Sequence, residues 1–134
     1  MYFGADPGLA SLHDLAILAG MYVMFAGFFH GAAMVATEGT SAVTFARRAT
    51  PFLAAMTGAF ARFAEVIDAK DHRAADQQSL AFSDLGDLLQ ATTDQGVATD
   101  VLAPVQDMIR RQIDTGHGDE SFARIFEELR AVRP

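Results

Sequence analysis

The stretch from Leu15 to Ala36 runs for 22 residues without a charge, and its only strongly polar side chains are Tyr22 and His30. About 20 apolar residues cross a bilayer as a helix, so length alone admits a membrane span. The composition of the run argues for a protein environment instead. Nine of the 22 residues are Ala or Gly, which leaves flat surfaces that another backbone can approach closely. A lipid-facing helix carries branched apolar residues outward and Lys or Arg near one end. Here His13 and Asp14 precede the run, Glu38 follows it, and the first Lys or Arg is Arg47. Gly27 and Gly31 form a GxxxG pair, a spacing that serves close helix contact in a soluble core as well as in a membrane. No membrane association is expected.

At 134 residues the chain has the length of a single domain, residues 1–134. A continuous apolar helix of this length is more than so small a core can cover, and a partner chain is expected over part of it. The net charge is −7, and the only clustered basic residues are Arg47/Arg48 and Arg110/Arg111. Phosphate binding needs a concentrated basic face, which argues against nucleic acid. With no Cys, disulfides, thiol catalysis and cysteine metal sites are absent. The opening MYFGADPG lacks a basic stretch leading into a short apolar core, so no signal peptide is expected and a cytoplasmic location is.

Every periodic segment reads as helix. Asp6 is a suitable N-cap for a helix opened by Pro7, and Gly39 closes it near Glu38. Thr40 or Ser41 caps a second helix through Asp71, whose apolar residues Phe45, Phe52, Met56, Phe60, Phe63 and Ile67 recur at spacings of three, four and seven, with a bend expected at Pro51. Residues 69–78 are a polar connection. A third helix is expected from Ser79 to Gln95, closed by Gly96. A fourth starts at Thr99 or Asp100 with Pro104 in its opening turns, and Thr115 to Gly118 stops it. Ser121 opens a short last helix with Phe122, Ile125, Phe126 and Leu129 facing inward. No window alternates with the two-residue period of a strand. The expected fold is all-α.

Sites are harder to read. His13, His30, His72 and His117 are scattered, and neither HExxH nor a Glu-x-x-His pair occurs, so no metal site is expected. His30 reads most economically as a hydrogen-bonded core or interface histidine. GxGxxG and GxxxxGK[ST] are absent, which leaves no nucleotide site within the chain. Asp14 and Tyr22 lie eight residues apart, about 80° around a helix and two turns in height, so they can border one cavity. The plainer alternatives are a first-turn acid complementing the helix dipole and a core tyrosine with a satisfied hydroxyl.

The segment DPGLASLHDLAILAGMYVMFAGFFHGAAMVATEGTSAVTFA resembles the start of the C-terminal domain of NADPH-dependent imine reductases and reductive aminases, relatives of the β-hydroxyacid dehydrogenases. PFLAAM, SLAFSDLGDLLQATTDQGV and GHGDESFARIFEEL are similar to later parts of that domain, and the likeness runs from Asp6 nearly to Leu129. The resemblance implies a helical bundle like the 6-phosphogluconate dehydrogenase C-terminal domain, with a long interdomain helix through which two subunits interlock as a homodimer. It also implies NADPH held mainly by an N-terminal Rossmann domain, supplied in cis or in trans, and a small amine or imine substrate between one chain's Rossmann domain and the other's bundle. No Rossmann half is visible in the sequence, so the chain is expected to be a fragment, a separately encoded half or a stand-alone remnant, inactive alone.

By the same resemblance, Asp14 falls where the hydroxyacid dehydrogenases keep a catalytic Lys, and Tyr22 where imine reductases carry Tyr or Asp. The exchange of cation for carboxylate makes physical sense, since an iminium attracts a carboxylate whereas a developing oxyanion needs a positive group. Tyr22 is then the residue that positions substrate or delivers a proton to nitrogen. Leu18 and Phe25, one turn to either side of Tyr22, would line the same pocket. Two functions follow: the dimerising, substrate-binding part of an imine-reducing oxidoreductase, or a non-catalytic helical dimer derived from that fold.

Overall fold

The computed structural model describes residues 7–130. Among these residues all regular structure is helical, as the periodicities require, and the only β pairing is an isolated bridge between Ser79 and Ser121. Asp6, the expected first cap, lies outside the described residues.

Helix α1 spans Pro7–Ala36, about 45 Å of rod at 1.5 Å per residue. Gly39 ends it in the left-handed region at φ +83°. There Thr40 N–H reaches back to Val35 O at 3.1 Å and Gly39 N–H to Ala36 O at 3.0 Å, the paired closure that a glycine makes inexpensive. Ser41 then caps α2 (Ala42–Met56), its Oγ accepting from Thr44 N. Pro51 sits inside α2 without interrupting it. The expected break falls instead at Thr57–Ala59, a tighter turn that separates α2 from α3 (Phe60–Ala69). Thr57 Oγ1 donates to Ala54 O at 2.7 Å there, a back-bond that competes with the helical ladder, next to the helix-weakening Gly58.

The third expected helix begins seven residues late, as α4 (Gly86–Asp94). Ser79 to Asp84 are pulled out of helix by long-range bonds: Leu80 N–H donates to Glu120 O and Ala81 N–H to Gly118 O. Asp84 Oδ1 accepts from Gly86 N and Gln106 Oε1 from Leu85 N, and these bonds define the start. Gly96, at φ +72°, closes the helix as expected. Helix α5 covers Ala103–Gln112, three or four residues later than its expected start at Asp100 or Thr99: Leu102 N–H closes a tight turn on Thr99 O, and Pro104 has no N–H to extend the ladder to Asp100 O. A wide turn over Ile113–His117 containing Gly116 at φ +94° ends it. Ser121 Oγ accepts from Ala123 N, and a short turn leads into α6 (Ile125–Arg130).

The core lies at one end. Val66 of α3, Leu80 of the connection and Ile109 of α5 are fully buried, with Ala123 nearly so, and the Phe63 ring meets that of Phe122 at 6.4 Å. Phe126 and Leu129, expected to face inward, are 41% and 70% exposed; α6 is too short for every apolar side chain to reach the core. Helix α1 extends from this core, packed on α2 through Phe28 stacked on Phe45 at 5.5 Å and tied to α4 through His30 and Thr92. Residues 11–20 of α1 are all exposed. Ser11–Ala36 is long and apolar enough to cross a membrane by length and composition, and 6% of its most apolar stretch is buried within the chain. The chain itself thus leaves a long apolar face of α1 uncovered.

Candidate functional site

At 100° per residue Asp14, Leu18, Tyr22 and Phe25 fall within a sector of about 80° on α1. They form one stripe along a regular helix, as their spacing predicts. Leu18 is 41%, Tyr22 65% and Phe25 42% exposed, and Asp14 is exposed as well. The rings of Tyr22 and Phe25 meet edge to face at 6.3 Å. The plainer alternatives for the two polar residues do not describe this arrangement. Asp14 lies beyond the first turn of α1, which contains no acid, and a tyrosine two-thirds exposed is not a core residue.

The stripe stands apart from the main clefts among the described residues. Three apolar clefts flank α2, and none is lined by Asp14, Leu18, Tyr22 or Phe25. One, of about 620 Å³, lies between α1 and α2 around Phe28, Phe45 and Phe52, with Arg48 at its edge. Another, of about 560 Å³, runs from Ile17 and Gly20 to Met56 and Phe60.

The largest, about 1080 Å³, takes nothing from α1. Phe52 and Met56 of α2 and Phe63 of α3 form one wall, and Asp76, Phe82 and Ser83 of the connecting segment form the other. Its charged groups form a two-pronged pair, Arg62 Nε donating to Asp76 Oδ2 and Nη2 to Oδ1, both at 2.9 Å. That guanidinium holds the Asp76 carboxyl down to about 2. A mostly apolar concavity with a few fixed polar groups is the usual form of a small-molecule site. Sequence reasoning missed it because its walls come from helix and loop with no shared period. Phe82 falls within the third helix expected from the sequence, and it reaches the cleft wall only because residues 79–85 are not helical.

His30 is a core histidine as expected, 8% exposed, with Nε2 3.1 Å from Thr92 Oγ1. No group of three or more His, Asp or Glu residues able to hold a metal occurs among the described residues.

Comparison with known proteins agrees with this architecture. The chain is 33% identical over 130 residues to an NADPH-dependent reductive aminase of Aspergillus oryzae, covering 94% of this chain and 44% of that protein. It superposes on the reductive aminase of Aspergillus terreus, solved with NADPH4, cyclohexanone and allyl amine, with a TM-score of 0.91 and 37% identity, over 97% of this chain and 46% of that one. An imine reductase from Bacillus cereus shares the fold with a TM-score of 0.90 at 23% identity, over 98% of this chain and 46% of its own. The chain thus spans a little under half the length of these relatives. Residues 6–131 match the sequence family of NADPH-dependent reductive aminase-like C-terminal domains, and the chain belongs to that family.

Proposed function

We propose that this chain is the dimerisation and substrate-binding domain of an NADPH-dependent reductase acting on carbon–nitrogen double bonds. The observation that carries the reading is the bare α1 stripe. A carboxylate, a phenol and two apolar side chains share one sector of a helix that its own chain leaves exposed. Half of a site is displayed there, and the largest cleft lies on a different part of the same chain. A second copy, packed along α1, is the partner that covers the apolar face and brings a cleft toward a stripe.

In such an assembly Asp14 attracts the cationic nitrogen of an iminium, which lowers the energy of the charged form of the substrate in a water-poor site. The Tyr22 hydroxyl orients the same nitrogen by hydrogen bonding or supplies a proton to it. Leu18 and Phe25 exclude water from the carbon that is reduced.

The described residues do not fit the dinucleotide itself. They include no strand, and hence no strand–glycine loop–helix unit to cradle a pyrophosphate. We therefore assign NADPH to a Rossmann domain supplied in cis or in trans, and no step through it is derived from this chain.

The test is a pair of substitutions in the reductase assembled with its cofactor domain. Asp14→Asn and Tyr22→Phe are expected to lower kcat for imine reduction by about 100-fold, while the thermal stability of the isolated chain stays unchanged because both side chains are exposed there. Full turnover in both variants would sink the roles given to Asp14 and Tyr22, and no turnover in the unmodified assembly would leave a non-catalytic helical dimer. A chain that stays in solution only with detergent would sink the dimer as well.

A further inference from the structure

The segment 71–85 contains no helix, yet it is firmly tied down. Four backbone hydrogen bonds join it to residues 118–122: Ser121 N–H to His72 O at 2.7 Å, Phe122 N–H to Gln78 O at 3.2 Å, Leu80 N–H to Glu120 O at 2.8 Å, and Ala81 N–H to Gly118 O at 2.9 Å. Ser121 Oγ also donates to Gln77 Oε1 at 2.8 Å, and Arg73 pairs with Asp119 at 2.6 Å. The same segment supplies Asp76, Phe82 and Ser83 to the largest cleft. Whatever fastens this strap therefore sets the width of the cleft. Long connections without regular structure in small domains are commonly functional rather than neutral.

His72 stands at the root of the strap. It is 6% exposed, and its Nδ1 is buried without a hydrogen-bond partner. The charged groups around it are Arg124 and Glu127 from the C-terminal helical segment, and His117 and Glu120 from the turn before it. Burial is the largest influence, and together with Arg124 and His117 it opposes charge on the ring, against Glu120 and Glu127. Protonation would place a buried cationic N–H where no acceptor waits, a costly state in a dry interior. The backbone of the same residue holds the root of the strap, His72 O accepting from Ser121 N–H, so a ring that leaves its pocket pulls on that bond.

We infer that neutral His72 is the latch of strap 71–85, keeping it docked on residues 118–122, and that protonation of His72 releases the strap and opens the cleft. Only the consequence for substrate rests on the function proposed above; the release itself does not. Because burial holds the imidazole below its ordinary value, the docked strap is fully favoured above about pH 6.5 and loses its advantage as pH falls toward the lower folded value. Asp76, Asp119 and Glu120 are held below the usual carboxylate range, chiefly by hydrogen bonds from Arg62, Arg73 and His117 respectively. They stay ionised throughout this window.

Amide hydrogen exchange on the full chain tests the latch, read at Leu80, Ala81, Ser121 and Phe122 and normalised for the intrinsic pH dependence of exchange. The expected result is exchange accelerating roughly tenfold per pH unit below about 6.5, with no such change in α2, and a flat profile in His72→Phe. The His72 ring resonance is expected to titrate below 6.5 with the same midpoint as the exchange. Strap exchange that is flat in the unmodified chain, or equally pH-dependent in His72→Phe, would overturn the latch. So would a ring midpoint that is at or above 6.5 or differs from the exchange midpoint, a criterion that holds even if His72→Phe does not fold. Loss of the latch leaves the roles of Asp14 and Tyr22 standing, and loss of those roles leaves the latch standing.

Discussion

His30 Nε2 lies 3.1 Å from Thr92 Oγ1, joining α1 to α4 across 62 positions of sequence. Thr92 Oγ1 also donates to Leu88 O at 2.9 Å, and a hydroxyl has one proton, so His30 Nε2 is the donor in this pair. Thr92→Val keeps the shape and removes the acceptor, leaving a buried ring N–H unmet. The expected loss is about 1–3 kcal/mol of stability, measured as a lower urea midpoint with an unchanged slope. An unchanged midpoint would mean that water replaces the hydroxyl and α1 is held by packing alone.

Two glycines one turn apart on α1 make opposite predictions. A Cβ at Gly31 would sit 2.7 Å from Phe45 Cζ and 3.0 Å from Cε2, and that ring is pinned by its stack on Phe28. Overpacking outweighs the gain in helix propensity, and Gly31→Ala is expected to cost about 1 kcal/mol net. Gly27 has nothing within 4 Å of its Cβ position. Gly27→Ala is expected to stabilise the chain by up to about 1 kcal/mol, its methyl group entering the open cleft between α1 and α2. Urea midpoints read both effects, and a lower midpoint for Gly27→Ala would mean that the cleft between α1 and α2 has no room for the methyl group.

Lys70 closes α3 in the left-handed region at φ 56° without being glycine. Relieving the Cβ strain is worth about 1–2 kcal/mol, less what glycine gives back in chain entropy. Lys70→Gly is therefore expected to raise stability by about 0.5–1 kcal/mol, seen as a higher melting temperature. A lower one would show that the lysine stem contributes packing larger than the strain.

These contacts also mark what the sequence could and could not disclose. Helix α1 was legible because Gly39 terminates an uninterrupted apolar run, and the alignment of Asp14, Leu18, Tyr22 and Phe25 followed from helical geometry alone. The partner of His30 was not legible, because no local rule links it to a threonine 62 residues later. Ser79 to Asp84 carry a helical pattern, yet Leu80 and Ala81 spend their N–H groups on Glu120 and Gly118, and tertiary pairing overrode propensity. Pro51 drew the expected bend to itself, whereas the break followed Thr57 and Gly58. The largest cleft went unseen for the same reason as the Arg62–Asp76 pair on its wall: both depend on where a loop returns.

That pair gives the last prediction. The Arg62 guanidinium holds the Asp76 carboxyl down to about 2, chiefly through its hydrogen bonds, against about 3.9 in an unfolded chain. The unfolded state therefore takes up the proton first as pH falls, and the stability this pair lends is complete above about pH 4 and lost toward pH 2. Both side chains are about half exposed, so the contribution is modest and screened by salt. Urea midpoints of the unmodified chain and Asp76→Asn are expected to differ at pH 5, to converge as pH approaches 2, and to differ less in 1 M salt. A gap that persisted at pH 2, or ignored salt, would mean that the asparagine disturbs the strap by shape and not by charge.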